Sequence, residues 1–435
     1  MTPTHVLAGA RPRRVGSAVL IGVVVVITVV ITVAAMRQPM LAAAALVIPI
    51  LPLYQRYLPT VALLLLTSAP LLLSSFQVGP LTVDNYVTLV GLASALIWIA
   101  QQRRIRVPIA AALPILLAIA IAVTGALAGV DSTAGVIRYV GLAFIPVLIA
   151  SGAVGRVAAE RAMFFGLAVG AISVLTQPFV SLIPVYVDPQ TGDHRFGGLM
   201  GHPNFAAYAL GLGILYLVGG RRLVWQSWAL VALFGSAILL TGSVGALGTV
   251  AVGLVIIVFS RGVLRAFGVV MAGAIGLVLL GGTLAGRVGS LVSGDPNLNS
   301  LNWRFQQWES AIDLLHGRIW TGIGWQQIPL LIDDGLEAHS AYVEVYVELG
   351  IVGCVLVGAG LIALLISAGP RLVALTMVTV VIVSSLTDPV FVYPSSMATL
   401  LTLLLCERLR HAETSGRHLA NEKPVRAIPE PLLTT

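Results

Sequence analysis

The chain has 435 residues, of which 58% are hydrophobic and only 10% are charged, whereas soluble globular proteins carry about 25% charged residues. Its net charge is +7, with 25 basic residues against 18 acidic ones. This composition excludes an ordinary soluble enzyme, a disordered protein and a fibrous protein, because too little charge is present to cover a surface in water. It indicates an integral membrane protein.

Long apolar runs recur along the whole chain. A membrane helix needs about 20 apolar residues to cross the hydrocarbon core, and this measure gives about fourteen candidate spans. They lie near 15–35, 39–54, 59–75, 83–100, 107–128, 134–151, 161–182, 203–219, 223–241, 243–260, 266–285, 341–366, 371–387 and 395–407. The second and third are short and contain proline. We therefore expect an all-α polytopic membrane protein with about 12–14 transmembrane helices.

The basic residues indicate how the chain is oriented. With a cytoplasmic N-terminus, most of them fall in loops on the cytoplasmic side, in agreement with the positive-inside rule. Five lie on the outer side, namely Arg37, Arg195, Arg287, Arg304 and Arg318, and Arg138 lies within a span. The net positive charge therefore reflects orientation and does not indicate a nucleic-acid partner.

The spans and loops divide the chain into six segments. They are N-terminal transmembrane helices (1–182), a first exoplasmic loop (183–202), central transmembrane helices (203–285), a long exoplasmic loop (286–340), C-terminal transmembrane helices (341–410) and a cytoplasmic disordered tail (411–435). Long loops on a rigid scaffold usually carry function. We therefore expect the chemistry on the outer face.

The long exoplasmic loop contains an amphipathic stretch. Leu301, Phe305, Trp308, Ile312 and Leu315 recur at helical spacing. This pattern predicts a helix on the outer surface. It is compatible with a helix at the membrane interface and equally with one packed on neighbouring loops.

Charged residues are scarce on the outer side, so the role of each one can be considered individually. Arg195 and Arg304 are candidates for an anion clamp, because guanidinium presents a planar fork of donors that matches phosphate. A surface ion pair is the alternative for Arg195, and a solvated helix face is the alternative for Arg304. His339, where the long loop meets a helix, is a candidate general base or a residue of the interface.

The acidic residues near the outer face have two interpretations. Glu344 and Glu348 lie one turn apart on a predicted span, where carboxylates are costly and often functional. Glu348 could equally pair internally to fix the helix. The aspartates of the short outer loops are interpreted as turn or cap residues: Asp84, Asp131 and Asp388.

Four segments of the chain carry a recognisable series of motifs. They are Arg195-Phe196-Gly197-Gly198 with Pro203-Asn204; Thr241-Gly242-Ser243; Arg304 and Trp308 followed by Gly322-Ile323-Gly324; and His339 followed by Tyr342, Glu348, Gly350 and Gly353. In this order they resemble the O-antigen ligase superfamily of membrane glycosyltransferases. The chain departs from the family pattern at Val244, where Arg is frequent, and at Ser340, where Asn is usual. Arg287 and Arg318 are candidates to supply the missing charge.

The resemblance implies a GT-C-like all-α fold and an inverting glycosyltransferase that needs no metal or other cofactor. The donor would be a glycan on a polyprenyl diphosphate, and the acceptor a hydroxyl on a glycan, a lipid or a protein. Arg195 and Arg304 would clamp the diphosphate, and His339 would orient or deprotonate the acceptor. Further contacts to the diphosphate or glycan are implied for Arg318, Arg287, Asn204, Trp308, Tyr342 and Glu348.

The same resemblance implies a multi-pass protein of the bacterial cytoplasmic (inner) membrane, surrounded by membrane lipids. Both termini would be cytoplasmic and the active site exoplasmic. A ligase and a polysaccharide polymerase of the same superfamily both remain open. The alternative from another class is a transporter or flippase, for which two related halves and charged residues at mid-membrane are typical.

Overall fold

The computed structural model describes residues 57–73, 76–78, 81–102, 104–180, 183–187, 192, 194–220, 224–260, 300–332 and 338–421. This part of the chain is almost entirely helical. Its strands form two short antiparallel pairs, β1 (Gln77–Val78) with β2 (Leu81–Thr82) and β3 (Tyr186–Val187) with β4 (His194–Arg195).

Thirteen α-helices, labelled here in chain order, make up the described part. They are α1 (Leu58–Leu72), α2 (Val83–Ala100), α3 (Ala112–Ala128), α4 (Thr133–Ala150), α5 (Arg156–Thr176), α6 (Pro203–Gly219), α7 (Trp225–Thr241), α8 (Val244–Phe259), α9 (Ser300–Asp313), α10 (Ile328–Leu331), α11 (Ala341–Ala368), α12 (Leu372–Ser384) and α13 (Pro394–Asn421). Most are apolar on every side, as expected for helices surrounded by protein and lipid.

Several described helices are suited to a membrane. Five are long and apolar enough to cross one: Val83–Ala100, Ile109–Ala128, Thr133–Ala150, Arg156–Phe179 and Ala341–Ala368. Five shorter helices are also apolar: Leu58–Leu72, Pro203–Gly219, Trp225–Thr241, Val244–Phe259 and Leu372–Ser384. The prediction of an all-α polytopic membrane protein is confirmed. The spans predicted at 15–35, 39–54 and 266–285 lie outside the described residues.

One apolar core joins the helices into a bundle. Within it, α13 contacts α1, α4, α5 and α6, while α11 packs along α3 and α8 packs on α6 and α12. The turn between α7 and α8, the start of α6, the start of α11 and the loop between α12 and α13 meet at one end of the bundle. This end is the one predicted to face outside.

Helix α11 is broken at Gly350, whose backbone lies at φ 63° and ψ −165°. A residue in this conformation interrupts the regular i to i−4 hydrogen bonds. Four backbone hydrogen bonds instead join the break to the segment 319–324: Ile351 N to Ile319 O (3.0 Å), Val352 N to Trp320 O (3.2 Å), Ile323 N to Val347 O (3.0 Å) and Gly324 N to Glu348 O (3.0 Å). The Gly-Ile-Gly and Glu-x-Gly motifs therefore belong to one structural unit.

Gly322→Ala is expected to destabilise this unit. A Cβ atom at Gly322 would lie 2.3 Å from the carbonyl oxygen of Glu348, and the residue has φ +69°. Such a clash in a left-handed conformation costs about 2–4 kcal/mol, so the midpoint of thermal unfolding in detergent should fall by several degrees. Gly248→Ala is the matched control, because nothing lies within 4 Å of a Cβ there. Equal melting of both variants and the wild type would contradict the assigned role.

The amphipathic helix predicted in the long loop is α9, but its buried face differs from the predicted stripe. Trp308 and Leu315 pack with Ala311 on a small apolar cluster formed by Ile323, Ile328, Ala338 and Val347. Phe305 and Ile312, predicted to share that face, are 58% and 45% exposed. Neighbouring protein segments set the rotation of the helix, which the spacing of apolar residues alone does not reveal.

The last helix is longer than predicted. Disorder is predicted from residue 411, yet α13 continues to Asn421. Arg156 of α5 pairs with Glu413 (Nη2 to Oε2, 3.1 Å), and Glu407 pairs with Arg410 and His411 on the same helix. Ion pairs one turn apart and a contact to a neighbouring helix support these polar turns. Residues 422–435 lie outside the described residues.

Candidate functional site

Arg195 is held at the end of the bundle by three elements. It closes the β3–β4 hairpin, where its guanidinium carbon lies 5.9 Å from the ring centre of Tyr186. Its Nε donates to the carbonyl oxygen of Thr241 at the C-terminus of α7 (3.1 Å), and its Nη2 donates to Oδ1 of Asn204 (2.6 Å). A helix C-terminus favours a cation. The side chain is therefore buried and fixed although it is charged.

The Phe-Gly-Gly segment after Arg195 is tied to the end of α5. Gln177 accepts a hydrogen bond from the amide of Gly198 (2.7 Å), and the hydroxyl of Ser173 accepts one from the amide of Leu199 (2.9 Å). Gly198 has φ +58°, and a Cβ atom there would lie 2.3 Å from the oxygen of Ser173. Glycine is required at this position because any side chain would collide with Ser173.

Asp388, in the loop between α12 and α13, connects the two arginines. Its Oδ1 accepts a hydrogen bond from Nδ2 of Asn204 (2.7 Å), and its Oδ2 accepts one from the hydroxyl of Tyr208 (3.0 Å). Nη2 of Arg304 lies 4.0 Å from Oδ1. Because Asn204 also binds Arg195, a continuous chain of polar side chains runs from one guanidinium to the other. Burial raises the pKa of the Asp388 carboxyl, although both arginines oppose that shift.

Arg304 reaches this network from α9, the helix of the long loop. Its Nη1 donates to the carbonyl oxygen of Thr387, one residue before Asp388. The side chain remains partly exposed, at 21%. Arg304 is thus anchored by the loop between α12 and α13 while part of its guanidinium stays accessible.

His339 lies beside both arginines in an unusual backbone conformation. Its φ is 53°, in the left-handed region that few non-glycine residues adopt. Its ring lies 5.0 Å from that of Trp303, and its Nδ1 is buried with no hydrogen-bond partner among the described residues. Burial and the charges of Arg304 and Arg195 lower its pKa to about 3. The imidazole is therefore neutral at physiological pH, with a free ring nitrogen.

A second histidine, His202, belongs to the same cluster. Its Nδ1 caps α6 by accepting the amide of Asn204 (3.2 Å), and its ring lies 4.7 Å from that of Tyr186. Burial lowers its pKa well below the usual value, and the charges of Arg195 and of His339 when protonated act in the same direction. The cluster therefore combines two fixed cations, one carboxyl group and two neutral imidazoles.

Two of the other predicted substrate contacts serve the local fold. The hydroxyl of Tyr342 donates to the carbonyl oxygen of Ile382 on α12 (2.9 Å). Oε1 of Glu348 accepts the amide of Ile328 at the start of α10 (3.2 Å), which is the internal pairing considered for this residue. Asn204, in contrast, lies at the centre of the cluster.

The remaining predicted contacts lie away from these hydrogen bonds or outside the described residues. Trp308 packs in the small apolar cluster under α9. Arg318 is exposed in the turn that follows α9. Arg287 lies outside the described residues, so its proposed replacement of the missing charge next to Ser243 stays a prediction.

Three residues of the cluster were not identified from the sequence as functional: Asp388, Tyr208 and His202. The sequence interpretation of Asp388 as a turn or cap residue is incomplete, because its carboxyl group is 2% exposed and binds Asn204, 184 residues away. One signal was available. Acidic residues are rare on the outer side, and this scarcity indicates Asp388 as a candidate partner for the outer arginines.

No metal-binding group is apparent in the part of the chain that the structure describes. Within it, no three or more His, Cys, Asp and Glu side chains are placed to hold an ion. The cations that converge at the site are the two guanidinium groups, with the Asp388 carboxyl group between them.

Fold and site together define an all-α polytopic membrane protein with two arginines and a half-buried histidine gathered at one end of its bundle. Residues 228–358 match the family model described as O-antigen ligase, and this match supports membership of the O-antigen ligase superfamily. The matched range includes Arg304, His339 and the break at Gly350, whereas Arg195 precedes it and Asp388 follows it. No curated protein matches the chain.

The match supports, in general terms, a membrane glycosyltransferase activity of the ligase or polymerase type. It also supports lipid-linked glycan and acceptor substrates in general terms. The apolar helices and the family together indicate a multi-pass membrane protein.

Proposed function

We propose that the protein transfers a glycan from a polyprenyl diphosphate to an acceptor hydroxyl at the outer face of the bacterial cytoplasmic membrane. The observation that carries this proposal is the convergence of Arg195 and Arg304 on Asp388, beside His339 with its free ring nitrogen. In this proposal both termini are cytoplasmic. The acceptor is a glycan, a lipid or a protein.

The arginines bind the diphosphate and stabilise it as a leaving group. When the bond between the anomeric carbon and the phosphate oxygen breaks, its electron pair adds negative charge to the diphosphate. Guanidinium groups that are already fixed in a partly dehydrated site stabilise that charge without further reorganisation. Arg195 meets this requirement because Thr241 and Asn204 hold it in place. Arg304 supplies the second cation from its partly exposed position.

His339 accepts the proton of the acceptor hydroxyl. As the hydroxyl oxygen bonds to the anomeric carbon, its proton passes to Nδ1, and in-line attack inverts the configuration at that carbon. Burial and the charges of the two arginines make the imidazole a weak base in the protein without substrate. A bound diphosphate places negative charge nearby and raises the pKa of His339 towards the range useful for catalysis. In this scheme the arginines supply the positive charge, and no metal is required.

Transfer by the purified protein tests the proposal. The full chain in lipid nanodiscs would be incubated with polyprenyl-diphosphate-linked glycan and with candidate acceptors. Both would be extracted from cells in which the gene for this protein has been deleted. One discrete mass shift of the acceptor is expected for a ligase, and a ladder of products for a polymerase. No product with any acceptor, from protein shown to be folded, would contradict the proposed function.

The kcat/KM for transfer is expected to stay level on mild acidification. Because the pKa of His339 is lowered to about 3 in the free protein, its neutral form persists well below the ordinary histidine pKa. kcat/KM, which reports the free enzyme, should therefore change little between about pH 7.5 and about pH 5. The measurement is kcat/KM for transfer across this range. A decline with an apparent pKa near 6.5, which the His339→Asn variant lacks, would contradict the assigned environment.

Asp388→Asn is expected to lower transfer about tenfold or more while leaving the fold intact. Asparagine keeps the shape of the side chain: its oxygen can accept the hydrogen bond from Asn204, and its amide nitrogen can donate to the hydroxyl oxygen of Tyr208. It removes the negative charge 4.0 Å from Arg304. Arg304 should then be positioned less well. The effect should appear in KM for the donor, with an unchanged unfolding midpoint. Wild-type donor KM and kcat in a folded Asp388→Asn protein would contradict this positioning role.

A further inference from the structure

A cavity of about 300 Å³ lies next to the cluster of Arg195 and His339. Phe205 and Tyr393 form part of its wall, and Phe205 also contacts His202, with ring centres 4.5 Å apart. The cavity and the cluster are therefore built from the same stretches of chain, namely the starts of α6 and α11 and the loop between α12 and α13.

Buried polar groups line this cavity. Glu344 and Glu348 of α11 present carboxyl groups on residues that are only 7% and 4% exposed. Nε1 of Trp325 and Nε of Arg138 also lie buried in lining residues, and neither has a hydrogen-bond partner among the described residues. Unsatisfied buried donors are costly and call for a ligand or water. The residues that line the cavity therefore carry both acceptors and donors.

The orientation of two of these groups is fixed by their neighbours. Arg138 pairs with Asp84 (Nη2 to Oδ2, 3.2 Å) and donates to the hydroxyl of Thr82 (3.2 Å), which fixes the guanidinium of this lining residue. Trp325 packs edge-on against Tyr139, with ring centres 5.8 Å apart. It also lies against Gly135, where a Cβ atom would come within 2.9 Å of the indole. The indole is thus held in place before any ligand arrives.

We infer that this cavity is a subsite for one sugar ring of the glycan, an inference that rests on the proposed function. Sugar hydroxyls both donate and accept hydrogen bonds, so they match the carboxyl groups of Glu344 and Glu348 together with the indole N–H of Trp325. The C–H faces of a sugar ring pack on aromatic walls such as Phe205 and Tyr393.

Kinetics of two cavity variants test this subsite. Glu344→Gln keeps the shape of the side chain, and Trp325→Phe removes the indole N–H. Each is expected to raise the KM of one substrate, either the donor or the acceptor, about tenfold through loss of a buried hydrogen bond. The change in kcat should be much smaller. A rise in the acceptor KM assigns the ring to the acceptor, and a rise in the donor KM assigns it to the donor glycan. Unchanged values of both KM in both variants would overturn the inference.

Matched controls separate this effect from general damage. Glu309→Gln and Trp320→Phe make the same chemical changes at exposed positions and should leave both KM values at wild-type level. Unfolding midpoints would be measured for all four proteins. If Trp325→Phe unfolds early, Glu344→Gln decides the outcome.

Direct binding keeps the inference testable if transfer is never observed. Saturation-transfer NMR would be recorded on the full chain in nanodiscs with glucose, galactose, mannose, rhamnose and N-acetylglucosamine, each alone. A signal that the wild type gives and Glu344→Gln loses would support the sugar subsite even if the proposed transfer fails. If the wild type shows neither transfer nor a signal with any of these sugars, the subsite is overturned together with the proposed function.

Discussion

Arg304→Ala is expected to reduce glycan transfer about a thousandfold, as the loss of a guanidinium that stabilises a phosphate leaving group does in other enzymes. Arg304 is anchored by Thr387 and Asp388 but remains partly exposed. Its removal should therefore leave the protein inserted and folded. The measurement is the initial rate of transfer, normalised to the amount of folded protein.

Related variants define what Arg304 contributes. Arg304→Lys keeps the charge but loses the planar fork, so an intermediate rate is expected. Arg195→Ala should lose as much activity, and it should also melt earlier, because it leaves the carbonyl of Thr241 and the amide oxygen of Asn204 without their buried donor. Arg161→Ala, at an exposed position on α5, is the matched control. Transfer by Arg304→Ala at the rate of this control would contradict the clamp.

His339→Asn is expected to reduce transfer between about a hundredfold and ten-thousandfold, which is the usual contribution of general base catalysis. The choice of asparagine follows from the backbone. At φ 53° alanine would add strain, whereas asparagine tolerates the left-handed region. The variant thus removes the imidazole with little change to the local fold. The rate of transfer and the affinity for the donor are measured separately.

The separation of rate and affinity distinguishes the histidine from the arginines. His339→Asn should bind the lipid diphosphate as well as the wild type, because its change removes a proton acceptor and no charge. His316→Asn, an exposed histidine near the end of α9, should have wild-type values of both quantities. Full transfer activity in His339→Asn would show that no base acts through this residue.

The fold could be predicted from the sequence because the length of an apolar run decides whether it spans a membrane. The predicted span at 83–100 coincides with α2 and the one at 203–219 with α6. Interactions between distant elements could not be predicted in this way. The rotation of α9 depends on neighbours such as Ile323 and Val347, and the extension of α13 depends on the pairing of Arg156 with Glu413.

The candidate site was predicted in part. Arg195, Arg304 and His339 were selected through the scarcity of outer charge and the resemblance to a family, and the structure brings them together. The sequence alone predicts a turn residue at Asp388 because its partners, Asn204 and Arg304, are distant along the chain. A single sequence contains no signal for such a pairing, since it arises only when the ends of several helices meet.

Donor binding and transfer, measured in the same preparation, distinguish the roles of Arg304 and His339 most directly. Wild type, Arg304→Ala and His339→Asn would be placed in nanodiscs, and binding of polyprenyl-diphosphate-linked glycan would be compared with the rate of its transfer. We predict that Arg304→Ala loses both binding and transfer, whereas His339→Asn keeps binding and loses transfer. Wild-type binding and transfer in both folded variants would contradict the roles of Arg304 in diphosphate binding and of His339 as the base.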